Sequence, residues 1–219
     1  MSADPVSAGP LPADVARKHD ALLLLDVDEV ILHFIAPFRE LLAEYGARLS
    51  PESFRLTGNV HSIATGTAVS GHELDRVTDR LYREQESRQT PVEGVGAALR
   101  DLAGMADIVF LTAMTPAHYA ARRNLLDAAG LRYPLIATQR SKGAVAAELA
   151  ACRPGPVVFV DDLPPNLVSV ARSVPRAKLL HLMANEVFRP HLPPLPAGAA
   201  RADDWPDAVP KIRALLTPN

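Results

Sequence analysis

Asp26 and Asp28 stand one residue apart, directly after four consecutive leucines, Leu22 to Leu25. A short apolar run of this kind is the pattern of a strand buried on both faces of a parallel sheet. Sheets of that type gather ligands outside the carboxyl ends of their strands. If the chain stays extended past Leu25, the two-residue period aims both carboxylates to one side. Carboxylates that face one spot repel each other unless a cation or a shared proton intervenes. The spacing therefore predicts a divalent-metal or proton-transfer site at the tip of the first strand. Two solvated loop residues are the competing reading, and convergent partners elsewhere decide between them.

Later apolar runs supply such partners. Residues 107–112 end in Thr112, and residues 156–162 end in Asp161 and Asp162. Lys142 lies at the start of a helical stretch between them. A carboxylate can attack phosphorus and divide phosphoryl transfer into two displacements. Both reactants are anionic, so a Mg²⁺ held by carboxylate oxygens would offset the repulsion and clamp the phosphoryl group. A lysine adds positive charge at the non-bridging oxygens, and a threonine hydroxyl can donate to one of them. A second carboxylate can serve first as general acid and then as base toward water. Each role has a candidate in this chain.

Those residues need elements to hold them. Strands are expected at 22–25, 107–112, 135–137, 156–162 and 178–183, with helices at 94–102, 116–129, 141–150, 164–174 and 207–216 between and after them. This alternation predicts an α/β fold with a Rossmann-like, five-stranded parallel core sheet and helices on both faces. Residues 33–90 break the alternation. They contain helical periodicity at 35–45 and 72–86 around a small, polar stretch that includes Asn59, His61 and Gly66. That is too long for a plain connecting loop, so the segment is expected to be a small, mainly α-helical inserted unit. The core is then 21–32 and 91–219. Residues 1–20, with Pro, Ala, Ser and Asp prominent near the start, are expected to be a disordered lead-in. The Pro-rich stretch 189–196 is expected to be a connector, and Trp205 an anchor for the closing helix.

Composition limits the function classes. The 219 residues are 48% hydrophobic with a net charge of −2, and no basic block marks a nucleic-acid footprint. No apolar run is long enough to span a bilayer. Cys152 is the single cysteine, which excludes an internal disulfide and fits a reducing, cytoplasmic setting.

The order Leu25-Asp26-x-Asp28, then an apolar strand ending in Thr112, then Lys142 at a helix start, then Val-Phe-Val-Asp161-Asp162-x-x-x-Asn166 resembles the four motifs of the haloacid dehalogenase (HAD)-like hydrolase superfamily. The likeness covers residues 22–30 and 92–183, and the inserted segment lies where that superfamily often carries a cap. The resemblance implies a phosphatase with an aspartyl-phosphate intermediate and Mg²⁺ as cofactor. It implies Asp26 as nucleophile and metal ligand, and Asp28 as general acid/base that ligates the metal through its carbonyl. It further implies Thr112, Ala113 and Lys142 as phosphate-binding residues, Asp161 as a metal ligand, and Asp162 as a ligand or an orienter of metal-bound water. Glu29 and Val30 depart from the Gly-Thr usual in such phosphatases, which puts the turn geometry in question. Asp28 argues for phosphate esters over dehalogenation.

Several alternatives stand beside this reading. Asp162 could cap the following helix, and Arg140 competes with Lys142 for the phosphate. His61 is a candidate contact from the inserted segment, with an exposed loop histidine as the plainer reading. A receiver-like phospho-acceptor domain uses the same residue types, but with the acidic pair on the first strand, whereas here that pair comes last. A HAD-fold binding or regulatory protein with little turnover is the other alternative, motivated by Glu29 and Val30. The expected partner is a small-molecule phosphate ester, without nucleic acid or membrane, and a homodimer is the candidate assembly.

Overall fold

Leu23 and Leu25 pack into one apolar cluster while Leu22 and Leu24 pack into another, because successive side chains of a strand leave opposite faces. The same division runs through Ile108 and Phe110 against Val109 and Leu111, and through Val158 and Val160 against Val157 and Phe159. Each of these strands is covered on both faces, which is why each reads as an unbroken apolar run.

The computed structural model describes residues 6–217. Its strands are β1 (Ser7–Ala8), β2 (Leu22–Leu25), β3 (Ala47–Leu49), β4 (Val60–Ser62), β5 (Asp107–Thr112), β6 (Leu135–Thr138), β7 (Val157–Asp161), β8 (Lys178–Leu182) and β9 (Ala200–Ala202). Its helices are α1 (Ile35–Glu44), α2 (Gly71–Arg83), α3 (Gln85–Arg88), α4 (Val95–Leu102), α5 (Tyr119–Ala128), α6 (Lys142–Ala151), α7 (Pro164–Ser173) and α8 (Trp205–Leu216). A seven-stranded sheet has the order β1-β6-β5-β2-β7-β8-β9, and a separate ribbon pairs β3 with β4. Among the described residues only β1 runs antiparallel within the large sheet. Strand β2 is central, parallel to β5 on one side and β7 on the other. The chain reverses its direction of winding there, and the switch point of an open α/β sheet is where a ligand crevice forms. Among the described residues, no helix is long and apolar enough to cross a membrane.

The expected five parallel strands are present, and the sheet extends beyond them at both edges. Strand β9 adds in parallel to β8. Strand β1 lies within the stretch expected to be a disordered lead-in, so for residues 6–20 that expectation is corrected; residues 1–5 lie outside the described residues. The segment is tied down at three places. Ser7 and Ala8 pair with Thr138 and Ala137. Gly9, at a φ of 108°, lies so close to β6 that a Cβ there would meet the Leu135 carbonyl oxygen at 2.1 Å. The Lys18 and His19 main-chain N–H groups donate to the buried Asp107 carboxylate, which also pairs with Arg153. Composition revealed none of this, because each partner lies more than 80 residues away.

Residues 33–90 build their own apolar cluster from Phe34, Phe38, Leu41, Leu74, Val77 and Leu81, joined by Met183 and Phe188 from the strand-side chain. The segment carries helices α1, α2 and α3, and it also contains the β3–β4 ribbon, which was not expected. The expected second helix over 72–86 divides at Glu84 into α2 and α3. Ser70 starts α2 with a reciprocal capping box to Glu73. The closing helix α8 begins two residues earlier than expected, with Asp204 as its cap. Trp205 is fully buried, and its indole N–H donates to the Val30 carbonyl at 2.9 Å. The anchor therefore holds the loop that follows Asp26.

Candidate active site

Four elements bring the candidate residues together. Asp26 follows β2, Thr112 ends β5, Lys142 opens α6, and Asp161 ends β7 with Asp162 next. Because β5, β2 and β7 are adjacent and parallel, their carboxyl ends lie side by side. Lys142 is buried between two of the carboxylates, with Nζ 2.6 Å from Asp26 Oδ1 and 2.7 Å from Asp161 Oδ2. Arg140 instead pairs with Glu148 at the surface, which decides between the two cations. Thr112 Oγ1 accepts from Met114 N–H at 3.2 Å, leaving the hydroxyl hydrogen free to donate toward the site.

Burial governs the protonation of this cluster. Asp26 is pushed up to about 7, chiefly by desolvation, with the Lys142 charge opposing and Asp161 reinforcing the rise. Asp162 is also pushed well up, by burial and then by Asp161 and Asp26. Burial disfavours the Lys142 ammonium, but the charges of Asp161 and Asp26 outweigh that cost and raise its pKa. One oxygen each from Asp26, Asp161 and Asp162 lies within a 4.8 Å span. Three ionised carboxylates against one lysine would leave two uncompensated negative charges in a buried place. A divalent cation relieves that imbalance, and an all-oxygen set of carboxylates suits Mg²⁺. The residues present fit the metal.

Asp161 is fixed for such a task. Its Oδ1 accepts from Leu163 N–H at 2.8 Å and from the Asn166 amide at 3.0 Å. Asp162 does not cap α7: the cap position is Leu163, whose own side chain makes no capping bond. The Asp162 carbonyl is held by His181 Nε2 at 2.8 Å.

Asp28 has a different environment from Asp26. The chain does not stay extended past Asp26. The Val27 carbonyl accepts from the N–H groups of Val30, Ile31 and Leu32, so the loop closes on itself. The Asp28 carboxylate consequently stays outside the three-carboxylate cluster, although it lines the same cavity. Its Oδ1 accepts from the fully buried Arg122 and from Gln89, each at 3.0 Å, and its Oδ2 accepts from the Tyr82 hydroxyl at 3.1 Å. These partners come from α2, α5 and the residue after α3. Helical periodicity gives them no mark as site residues, because polar groups on helices usually face solvent.

Glu29 resolves the question raised by its sequence. It adopts a left-handed φ of 63°, the region glycine enters most easily. Its buried carboxylate accepts from Phe34 and Ile35 N–H at the start of α1, and from the Asn185 main chain and amide after β8. One residue thus joins the loop after β2, the inserted segment and the β8 end. Bonds to a carboxylate are strong enough to hold a side chain in an unfavourable φ.

A cavity of about 550 Å³ opens over the cluster, lined by Asp26, Asp28, Thr112, Ala113, Lys142 and Asp162 at its floor. Its upper wall comes from Phe34, Ile35, Tyr82 and the loop Phe54-Arg55-Leu56-Thr57. His61 is absent from that lining, which corrects the expectation that it contacts the site. It sits in β4 opposite Arg48, and the ribbon pairing keeps it there while the preceding loop reaches the cavity. The signal for that loop was present in Asn59, whose buried amide accepts from Glu52 N–H and donates to the Ser53 and Arg55 carbonyls.

No family model and no curated protein matches the chain. Solved structures do. A haloacid dehalogenase-like protein of Agrobacterium tumefaciens superposes with a TM-score of 0.61 at 19% identity, covering 91% of this chain and 100% of that one. A HAD-superfamily hydrolase of Geobacter sulfurreducens, subfamily IA, gives 0.55 at 17% identity, covering 87% and 98%. A HAD family hydrolase of Deinococcus radiodurans, solved with bound phosphate and sodium, gives 0.51 at 15% identity, covering 92% and 99%. A central parallel strand followed by Asp26, flanked by strands ending in Thr112 and Asp161, thus belongs to a chain with the fold of the haloacid dehalogenase-like hydrolases.

Proposed function

We propose that the protein is a Mg²⁺-dependent phosphohydrolase that acts on a small phosphate monoester through an aspartyl-phosphate at Asp26. The observation that carries this reading is the convergence of Asp26, Lys142, Asp162 and Thr112 on one cavity floor, with the fully buried Asp161 paired to Lys142. In this reading Asp26 Oδ attacks phosphorus and the ester oxygen departs with a proton from Asp28. Asp28 then takes a proton from the water that hydrolyses the acyl phosphate. Lys142, the Thr112 hydroxyl and the Ala113 main chain hold the non-bridging oxygens. Asp26, Asp161, Asp162 and the Asp28 carbonyl would hold Mg²⁺, which supplies charge neutralisation at the transferring phosphoryl group. Residues 33–90 act as a cap that limits water and contacts the leaving group. The single cysteine supports a cytoplasmic setting.

Hydrolysis of an aryl phosphate is expected to require added Mg²⁺ and to fall at least 10³-fold in Asp26→Asn, roughly the loss seen when a nucleophile is removed. Retained turnover in that variant excludes Asp26 as nucleophile. A second reading is a fold-retaining binding protein with little turnover. It is favoured by the three donors that already engage Asp28, which leave that carboxylate poorly placed to exchange protons. Phosphate binding by the wild type without turnover of any ester would select it.

A further inference from the structure

We infer that the phosphate ester accepted here has a compact apolar body and a second anionic group, and that Arg55 recognises that group. The phosphate end of this ligand rests on the phosphohydrolase reading; the body and its second charge rest on the wall of the cavity.

Above the acidic floor the lining is largely hydrocarbon and aromatic, with Phe34, Ile35, Phe54, Leu56, Met183 and Phe188 facing the space. The polar side chains among them, Arg55 and Thr57 apart, are already engaged. Glu29 and Asn185 bond each other, and Glu29 also holds the start of α1. Asn166 is turned to Asp161. The Tyr82 hydroxyl donates to Asp28. A sugar body placed here would set several hydroxyls against apolar wall with few polar partners, which disfavours it. An aryl or branched alkyl body meets apolar surface and loses nothing of that kind.

Arg55 is the charged exception in this wall. It is exposed, and among the described residues its guanidinium forms no ion pair. Thr57, two residues on in the same loop, is also exposed and lines the cavity. The position of the loop is set rather than loose, because the Asn59 side chain, nearly completely buried, bonds Glu52 N–H and the Ser53 and Arg55 carbonyls. A cation on a loop whose backbone is held, lining an apolar cavity that also has an acidic floor, selects a ligand that is anionic at both ends and apolar between. Guanidinium pairs carboxylate and phosphate in a fork geometry, so a carboxylate is the simplest second group.

Non-hydrolysable phosphonates test this without needing turnover. Calorimetric titration of the wild-type protein in Mg²⁺ would compare 4-carboxybenzylphosphonate, benzylphosphonate and the phosphonate analogue of glucose 6-phosphate. The expected order of affinity is the carboxylated aryl probe first, the plain aryl probe next and the sugar probe last, with at least tenfold between the first two. Arg55→Leu is expected to remove that tenfold advantage while leaving benzylphosphonate unchanged, and Arg55→Lys to restore part of it. Sugar binding equal to or tighter than aryl binding overturns the inference. So does an Arg55→Leu loss shared equally by both aryl probes, or no binding of either. Wild-type inactivity toward every ester beside the expected binding order would count against the phosphohydrolase reading alone.

Discussion

At the scale of single residues, Glu29 shows how one side chain can hold a site together without taking part in its chemistry. Its carboxylate serves four donors, two of them five and six residues on and two of them 156 residues away, while its own backbone sits at a φ of 63°. Glu29→Ala keeps the strained backbone and leaves those buried donors without a partner. A loss of about 3 kcal/mol is expected by urea denaturation, since each unsatisfied buried donor costs roughly 1–3 kcal/mol and some of them will find water. A loss below about 1 kcal/mol would mean that the carboxylate contributes no net stability. Sequence identified Glu29 as a departure from the small residue expected there. It could not show the compensation, because the Asn185 partner lies 156 positions away.

At the scale of elements, the inserted segment is organised around a loop as much as around its helices. Helix periodicity makes α1 and α2 legible, since Phe38, Leu41 and Leu42, and Leu74, Val77 and Leu81, recur at the spacing of one buried face. The ribbon of β3 and β4 is short, with three residues in each strand, and strands of that length leave little alternation to read. Yet the ribbon and Asn59 together deliver Phe54 to Thr57 to the cavity. Asn59→Ala removes the side chain that fixes this loop. The expected result is a KM for the aryl ester raised about tenfold, or about 1.4 kcal/mol, with kcat changed less than threefold. Equal losses in kcat and kcat/KM would instead tie the loop to the chemical step.

At the scale of the whole molecule, the acidic cluster links stability to pH. Without a divalent ion, Asp26 is raised to about 7 from the 3.8 of an ordinary carboxyl, and Asp162 is raised as well. Across that interval the folded protein binds more protons than the unfolded chain, so its stability falls as pH rises from about 4 through 7. His181, lowered mainly by burial, acts in the opposite sense as pH falls below its ordinary value, and exposed carboxyls such as Glu73 and Glu84, held low by their hydrogen-bonding partners, do so nearer pH 4; between pH 5 and pH 8 the two buried carboxyls dominate. The metal-free protein is therefore expected to melt at a lower temperature at pH 8 than at pH 5, with the difference reduced in Asp26→Asn. Mg²⁺ is expected to raise Tm more at pH 8, where it does not compete with protons. A metal-free Tm that is level or rising between pH 5 and pH 8 would contradict the assignment of Asp26 as a carboxyl destabilised by burial. Sequence by itself determined the parallel core and the residues on the site floor, because strands buried on both faces are continuous apolar runs and their polar ends are marked where those runs stop. Only the tertiary structure decided that Asp28 is held by Arg122, Gln89 and Tyr82, and that residues 7–8 close one edge of the sheet. It also decided that Arg55, not His61, faces the cavity. Those outcomes depend on partners dozens of residues distant, and local periodicity carries no record of which distant surfaces a side chain will meet.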